Sequence, residues 1–279
     1  MATIAALGMG LLGSGFAENM LKLGHTVRVW NRTASRCTPL VEKGALLADS
    51  PADAARGADY VHLILSADAA VDAVIAQLRA GISPDAPLLD HSTNLPASVA
   101  ARTPALRAEG IRYFHAPVFM GPSSARDGTG MMLISGLEDE VEVLRPYLLT
   151  LTGTLRSFGP RPDKAAAVKI IGNSVLLMMT ATMGDAFTIG KATDVSPDEI
   201  LSLFRAFSPT PAGMGQRVLS SGEAPVGFEA AMARKDVGLM ITTAGADRLH
   251  LLPAIAAVLD AGLDDERGAE DFTALFRPD

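Results

Sequence analysis

Two patterns of hydrophobic positions alternate along the first 160 residues of the chain. Short apolar, β-branched runs predict strands, and apolar residues spaced three or four apart predict the helices between them. The predicted strands are TIAAL (3–7), TVRVW (26–30), YVHLIL (60–65), PLLD (87–90), IRYFHAPV (111–118), MMLISG (131–136) and LRSFG (155–159). The predicted helices are 11–23, 69–79 and 96–109, with one more that begins at Pro51 after an N-cap at Ser50. This alternation predicts right-handed βαβ units and a mostly parallel, doubly wound sheet.

The pattern changes near residue 160. The segment GPRPDK breaks it, and the following segment, 165–194, has no proline and is apolar on nearly every face. An apolar segment of this length predicts a long buried helix. A membrane-spanning helix is the alternative, but polar side chains within the segment argue against it because they are costly in lipid. These side chains are Lys169, Asn173, Asp185 and Lys191.

Only helical patterns follow this segment. Ser196 and Glu199 flank Pro197 in the sequence of a capping box, and helical spacing recurs in 228–245 and 251–261. We therefore expect an all-α second half. The expected organisation is a Rossmann-type α/β nucleotide-binding domain at 1–162, an interdomain helix at 163–192 and an all-α C-terminal domain at 193–279.

Composition and charge narrow the functional classes. Hydrophobic residues make up 48% and charged residues 20% of the 279 positions, which is typical of a folded protein rather than a disordered one. The net charge of −7 and the lack of Lys/Arg runs argue against a nucleic-acid partner. A single cysteine, Cys37, and scattered histidines predict neither a disulfide framework nor a metal site. The N-terminus lacks the pattern of a signal peptide, so we expect a cytoplasmic protein.

The first predicted strand is followed directly by the motif G-x-G-x-x-G, formed by Gly8, Gly10 and Gly13. In a dinucleotide-binding turn the first glycine permits the tight turn, the second lets the pyrophosphate approach, and the third lets helix and strand pack closely. Amide groups at the start of the following helix attract phosphates. The alternative is that the glycines only shape a strand–helix turn, which the complete βαβ context disfavours.

The end of the second strand discriminates between nucleotides. An NAD site places Asp or Glu there to bind the ribose 2′-hydroxyl. This chain has Asn31, Arg32 and Thr33 instead. Because a guanidinium attracts a 2′-phosphate, the sequence predicts NADP(H) in preference to NAD(H).

At this point the sequence resembles the β-hydroxyacid dehydrogenase family, which includes 3-hydroxyisobutyrate dehydrogenases, semialdehyde reductases and the related 6-phosphogluconate dehydrogenases. The resemblance spans nearly the whole chain and rests on five blocks in a fixed order. They are ALGMGLLGSGFAENMLKLGHTVRVWNRT at the N-terminus, DHSTNLP (90–96), HAPVFMGPSSARDGTGMMLISG (115–136), KIIGN (169–173) and FEAAMARKDVGLM (228–240).

The resemblance implies roles for residues that match the family's motifs. It makes Lys169 the catalytic lysine and Asn173 its partner. The implied cofactor contacts are Gly8, Met9, Gly10, Leu11, Leu12, Gly13, Asn31, Arg32, Thr33, Leu65, Ser66, Ala67, Thr93 and Lys235, the last from the helical domain. The implied substrate-side residues are Phe119, Met120, Gly121, Ser123 and Phe228. The family also associates through its helical domain, so we expect a homodimer or homotetramer.

The proposed chemistry is consistent with the residues themselves. Lys169 and Asn173 are four positions apart, so a helix places both on one face. Burial and a nearby cation would lower the pKa of such a lysine. It could then donate a proton to a carbonyl oxygen or remove one from an alcohol, while Asn173 hydrogen-bonds the same oxygen or holds the lysine. The alternative is a solvated ammonium beside an incidental asparagine.

The third block departs from the family. Family members usually read A-P-V-S-G-G, where the serine and the glycine amides bind the substrate carboxylate. Here Phe119 offers no hydroxyl, Met120 adds a side chain, and Pro122 removes an amide donor. We therefore expect a bulkier or more apolar substrate, or an acid held by Ser123, Ser124 or the helical domain. Alternatively, these are packing changes that leave specificity unaltered.

The sequence thus predicts an NADPH-dependent oxidoreductase of the CH–OH/C=O type, acting on a semialdehyde, 3-oxo acid or the corresponding hydroxy acid. One alternative is a non-catalytic NADP-binding regulator, for which the altered third block is the main support. The other alternative is an imine reductase; relatives of that type lack a lysine at this position, so Lys169 favours carbonyl chemistry.

Overall fold

A computed structural model describes residues 1–278 of the chain. Its contacts divide the chain into two compact units, Met1–Lys169 and a second unit that begins at Ile170. The strands are β1 (Thr3–Leu7), β2 (Thr26–Trp30), β3 (Leu46–Leu47), β4 (Tyr60–Leu63), β5 (Leu88–Asp90), β6 (Tyr113–His115), β7 (Val118–Phe119), β8 (Met131–Ile134) and β9 (Thr154–Ser157). The helices that precede residue 160 are α1 (Leu11–Lys22), α2 (Thr38–Val41), α3 (Pro51–Ala55), α4 (Asp68–Leu78), α5 (Pro96–Ala108), α6 (Pro122–Arg126) and α7 (Glu138–Leu148). The later helices are α8 (Lys164–Ala192), α9 (Pro197–Phe207), α10 (Pro209–Leu219), α11 (Ala230–Ala244) and α12 (Leu252–Asp264).

The first unit contains a six-stranded parallel sheet in the order β3-β2-β1-β4-β5-β6. Strand β1 shows why both faces must be covered. Ile4 and Ala6 pack into one hydrophobic cluster, and Ala5 and Leu7 pack into another, since successive side chains of a strand point to opposite faces. The predicted doubly wound fold is therefore confirmed, and the sheet is buried on both sides as parallel sheets require.

The predicted strand 111–118 is wrong as a single element. Strand β6 ends at His115, and β7 begins at Val118 in a separate three-stranded sheet of order β7-β8-β9. Pro117 lies between them and has no N–H to donate, so it cannot continue the ladder of the large sheet. The chain changes sheets at this proline, and Phe119 consequently belongs to the smaller sheet.

Helices α1 and α6 of the first unit approach each other closely. A Cβ atom at Gly15 would lie 2.6 Å from the Pro122 carbonyl oxygen and 3.1 Å from the Ala125 Cβ. Only glycine leaves room for this approach. The helix that follows the glycine-rich turn is therefore seated directly on the segment that follows β7.

The second unit is helical throughout its regular elements, as predicted. One cluster joins α8, α11 and α12 around Leu177, Val237 and Leu259, and a second joins α8 to α9 and α10 around Phe187 and Leu201. Ser196 caps α9 with Glu199 in the predicted capping box. The contacts divide the two units after Lys169, within α8, whereas the sequence separates this helix as 163–192.

Within residues 1–278, helix α8 alone is long and apolar enough to cross a membrane by those two criteria. The core helix of a soluble protein meets the same criteria, and 39% of the apolar window is buried within the structure. The length and composition of α8 therefore do not distinguish the two cases.

Candidate functional site

Four predicted cofactor segments follow strands of the large sheet at its carboxyl edge. The strand order reverses between β1 and β4, and ligands of doubly wound sheets bind at such a reversal, beyond the carboxyl ends of the strands. The segments are the turn 8–13 after β1, residues 31–33 after β2, residues 65–67 after β4 and Thr93 after β5. The first unit thus brings these predicted residues to one edge.

The three glycines of the turn have different surroundings. Gly8 has φ +109°, and a Cβ there would collide with the Ile64 carbonyl oxygen. A Cβ at Gly13 would collide with the Gly8 carbonyl oxygen, whereas one at Gly10 would meet no atom within 4 Å. Gly8 and Gly13 therefore permit close packing, and Gly10 leaves the open surface that an approaching pyrophosphate needs. Gly10 is the N-cap of α1 without a side-chain cap, and Leu11 in the first turn is exposed.

Asn31 connects this turn to the end of β2. Its Oδ1 accepts a hydrogen bond from the Met9 N–H at 3.0 Å, and its Nδ2 donates to the Thr33 carbonyl at 2.9 Å. The side chain of Met9 is buried in the core, so Met9 and Asn31 shape the turn from within. Arg32 and Thr33 are exposed beside it.

Asp90 organises the loop that carries Thr93. This carboxylate is fully buried at the end of β5 and accepts hydrogen bonds from the Ser92 N–H, Asn94 Nδ2 and Tyr113 hydroxyl at 2.9, 2.7 and 2.7 Å. The Ser92 hydroxyl in turn accepts from the Leu65 N–H at 3.0 Å, which joins this loop to the one after β4. Thr93 and Leu65 are half-buried there, whereas Ser66 is exposed. Sequence reasoning missed Asp90, although an aspartate at the end of a buried strand, followed by HSTN, was a usable signal.

Buried imidazoles form a chain beneath the same loop. His91 Nδ1 lies 2.7 Å from the Ala116 carbonyl oxygen and must donate to it, so His91 Nε2 accepts from His62 Nδ1 at 2.9 Å. The His62 Nε2 then accepts from the Tyr147 hydroxyl at 2.7 Å. Burial lowers the pKa of His91 to about 4 and that of His62 well below its usual value. Both rings are neutral at pH 7, and the hydrogen bonds fix their tautomers.

Lys169 and Phe119, both predicted site residues, are in contact within the first unit. Lys169 is buried, with 8% of its surface exposed, and its Nζ lies 4.1 Å from the centroid of the Phe119 ring. Met120, the residue after β7, instead packs against the hydrophobic core. Gly121 is the N-cap of the short helix α6, and Ser123 on that helix is exposed.

The second unit contains the other predicted residues and one that was missed. Asn173 lies one helical turn after Lys169 on α8 and is buried, and its Nδ2 donates to Asp236 Oδ2 at 2.5 Å. Lys235 Nζ lies 2.7 Å from Asp236 Oδ1. Asp236 thus joins both predicted residues through one buried carboxylate, and the adjacent pair in ARKDVG could have suggested it. Phe228 packs edge-on against Phe272 at the border of the core of this unit, with 5.4 Å between ring centroids.

Among residues 1–278, no group of three or more His, Cys, Asp or Glu side chains is placed to hold a metal ion. The groups gathered at the carboxyl edge are instead amides, hydroxyls and a guanidinium. Such donors suit phosphates and sugar hydroxyls, so the arrangement fits a dinucleotide.

Comparison with known proteins agrees with this geometry. Residues 3–159 match the family described as the NAD binding domain of 6-phosphogluconate dehydrogenase. The 3-sulfolactaldehyde reductase of Escherichia coli K12 is 30% identical over 289 aligned residues, covering 99% of this chain and 95% of that protein. The 3-hydroxyisobutyrate dehydrogenase of Pseudomonas aeruginosa is 29% identical, covering 99% and 97%.

A solved structure shows the same fold. The structure of Mycobacterium tuberculosis 3-hydroxyisobutyrate dehydrogenase with L-serine has a TM-score of 0.84 at 22% identity, covering 99% of this chain and 98% of that one. The family match over more than half of the chain and the relatives that span it nearly end to end agree with the five sequence blocks. The chain belongs to the β-hydroxyacid dehydrogenase family of NAD(P)-dependent oxidoreductases.

Proposed function

We propose that this protein is an NADPH-dependent oxidoreductase that interconverts an aldehyde or ketone with its hydroxy form, with Lys169 as general acid and base. The observation that carries the proposal is a buried ammonium, that of Lys169, in the unit that contains the nucleotide-binding turn. Family membership supports the reaction class. A semialdehyde, a 3-oxo acid or a more apolar analogue of one is the proposed kind of substrate. Of the relatives, one is named after an aldehyde and one after a hydroxy acid.

The residues of the first unit would hold NADP(H) as follows. Gly10 and the amides of the first turn of α1 would bind the pyrophosphate, and Arg32 with Thr33 would bind the 2′-phosphate. The segments at Leu65 and Thr93 would line the ribose and nicotinamide side. When bound, the nicotinamide supplies or accepts the hydride.

Lys169 would transfer the proton. Its ammonium donates a proton to the carbonyl oxygen during reduction, and the neutral amine removes it from the hydroxyl during oxidation. Asn173 donates one Nδ2 hydrogen to Asp236, and this bond fixes the orientation of its amide. We propose that Asn173 assists Lys169, either by hydrogen-bonding the same substrate oxygen or by holding the lysine.

The test is the oxidation of NADPH by a panel of semialdehydes and ketones, followed by the loss of NADPH absorbance. Lys169→Ala should lower kcat by about 10²- to 10⁴-fold, the usual contribution of general acid–base catalysis. Lys164→Ala is the matched control, because Lys164 begins the same helix and is exposed, and it should retain full activity.

Two outcomes would contradict the proposal. Turnover that is unaffected by Lys169→Ala would remove the lysine from the mechanism. Tight NADPH binding by calorimetry, without turnover of any carbonyl, would favour the non-catalytic regulator, and turnover of cyclic imines alone would favour imine reduction.

A further inference from the structure

The Phe119 ring is the neighbour of Lys169 that distinguishes this site. Strand β7 directs Val118 into the core and Phe119 to the opposite face, because side chains alternate along a strand. The ring is half-buried, and the Lys169 ammonium nitrogen lies over its face at 4.1 Å from the centroid. This distance is well inside the range of a cation–π interaction.

An aromatic face acts on an ammonium differently from a carboxylate or hydroxyl. It attracts the positive charge through the ring quadrupole but provides neither a proton acceptor for transfer nor a hydrogen-bond donor. The contact therefore holds the lysine nitrogen at one place without competing for a proton.

The side chains of the segment 119–122 offer no hydrogen-bond donor to an anionic substrate group. Phe119 has no polar side-chain atom, Pro122 has no N–H, and the Met120 side chain packs against the core. A site that binds a carboxylate selects for it through buried donors. A phenyl face beside the proton donor instead favours substrates with a hydrocarbon group at that place.

We propose that Phe119 positions the Lys169 ammonium through its ring face and thereby selects carbonyl substrates that carry an uncharged group, rather than a carboxylate, a few bonds from the reacting carbon. This inference rests on the proposed function of Lys169. It goes beyond that function in assigning a positioning role to Phe119 and in naming the substrate class.

The kinetic test uses two aldehydes with the same carbon chain, succinic semialdehyde, which is charged, and its methyl ester, which is not. The wild-type kcat/KM should be higher for the ester by about tenfold or more. Phe119→Leu should lower kcat on the ester by about tenfold, the equivalent of one desolvated cation–π contact, with KM for NADPH unchanged. Phe119→Trp should restore kcat because it restores an aromatic face, and Phe119→Ser should narrow the preference for the ester.

Phe158→Leu is the matched control. It removes another half-buried ring of the first unit, one that lies 5.7 Å from the Arg156 guanidinium rather than near Lys169. This variant should behave like the wild type. If Phe119→Leu also retains the wild-type kcat while Lys169→Ala is inactive, the role of Phe119 is refuted and the proposed function stands. A wild-type preference for the charged aldehyde would refute the substrate class.

A second measurement does not depend on turnover. In protein labelled with ¹³C-lysine, the ε-methylene resonance of Lys169, assigned by its loss in Lys169→Ala, should lie upfield of the other lysines because of the ring current of Phe119. It should return to the common position in Phe119→Leu and stay upfield in Phe158→Leu. A Lys169 resonance without this upfield shift would overturn the inference even if no substrate were turned over.

Discussion

Asp236 is a buried carboxylate that contacts two residues with different proposed roles, Asn173 beside the catalytic lysine and Lys235 at the cofactor. Both of its oxygens are engaged within the second unit, one by Asn173 and the other by Lys235. Only the Nδ2 end of Asn173 can donate to a carboxylate, so the bond fixes the orientation of the amide. Removing the carboxylate would take this contact from both residues at once.

We expect Asp236→Ala to lower kcat by about tenfold to a hundredfold, as for the loss of a charge-assisted hydrogen bond, and to raise KM for NADPH through Lys235. Steady-state kinetics and thermal unfolding of the same samples check this. Asp260→Ala is the control, because Asp260 pairs with Arg234 at the surface of the same unit. A folded Asp236→Ala variant with wild-type kcat and KM would contradict the prediction.

Arg32 carries the prediction on nucleotide choice. Its side chain is exposed directly after β2, while the neighbouring Asn31 is engaged with the turn, so we propose that its guanidinium meets the 2′-phosphate. Arg32→Ala should raise KM for NADPH by about tenfold or more and leave KM for NADH nearly unchanged. Arg79→Ala, which breaks a surface pair with Glu109, should change neither value. Equal effects of Arg32→Ala on the two cofactors would contradict a 2′-phosphate site.

At the scale of elements, the imidazole chain ties β4, β5 and α7 together. His62 and His91 stay neutral when folded, because burial lowers the pKa of each ring. In the unfolded chain both rings return to a pKa near 6.5 and bind protons first as the pH falls. The two neutral rings therefore make their full contribution to stability above pH 6.5. As the pH decreases from 6.5 toward 4, the free energy of unfolding falls, by about 3 kcal/mol for His91 alone.

Urea unfolding between pH 7 and pH 4, followed by the fluorescence of Trp30 in β2, should show this loss. His91→Gln should have a flatter dependence on pH, because it removes one group that gains a proton on unfolding. His250→Gln should keep the wild-type slope, since His250 is exposed. If the free energy of unfolding depended equally on pH in the wild type and His91→Gln, the buried imidazoles would not determine the loss of stability in acid.

Periodicity predicted most of the elements because burial on two sides leaves a strong apolar signal. Helices α7 and α10 were not predicted, since prolines in both and Gly213 and Gly215 in α10 resemble loop sequence. Packing explains Gly215, where a Cβ would lie within 3 Å of Met183, Leu201 and Phe187. Close approach of this kind depends on the neighbouring helices and is not encoded by local propensity.

The site was predictable to the extent that its chemistry lies in short motifs. The glycine turn, Arg32 and Lys169 are each recognisable within a few residues of sequence. The bonds of Asp90 to Tyr113 and of Asp236 to Asn173 join distant segments, so no local pattern reveals them. The contact between Phe119 and Lys169 likewise spans 50 positions that only the fold brings together.

At the scale of the whole molecule, the second unit presents apolar side chains on α8 and α9. Phe207 is 78% exposed, and Ile189, Leu203 and Val175 are also exposed in the single chain. Surfaces of this kind are usually covered by a partner. We propose that a second copy covers them, consistent with the homodimer or homotetramer that the sequence suggests.

Light scattering at micromolar concentration should give the mass of at least a dimer, and the protein should purify without detergent. Phe207→Asp should shift the mass toward the monomer, because a buried carboxylate at an apolar interface is costly. Leu137→Asp, at an exposed apolar position of the first unit, should leave the mass unchanged. A monomeric wild type would contradict the proposal.

The contact at Gly15 has a consequence for attempts to change the substrate. The helix that begins at the nucleotide turn rests backbone to backbone on the segment after Phe119, so the two regions cannot diverge independently. A library that grafts residues 119–126 from relatives into this chain should yield folded proteins only where Gly15 is retained and the graft preserves the path of Pro122. Substitutions in residues 119–126 must therefore be chosen together with those in α1.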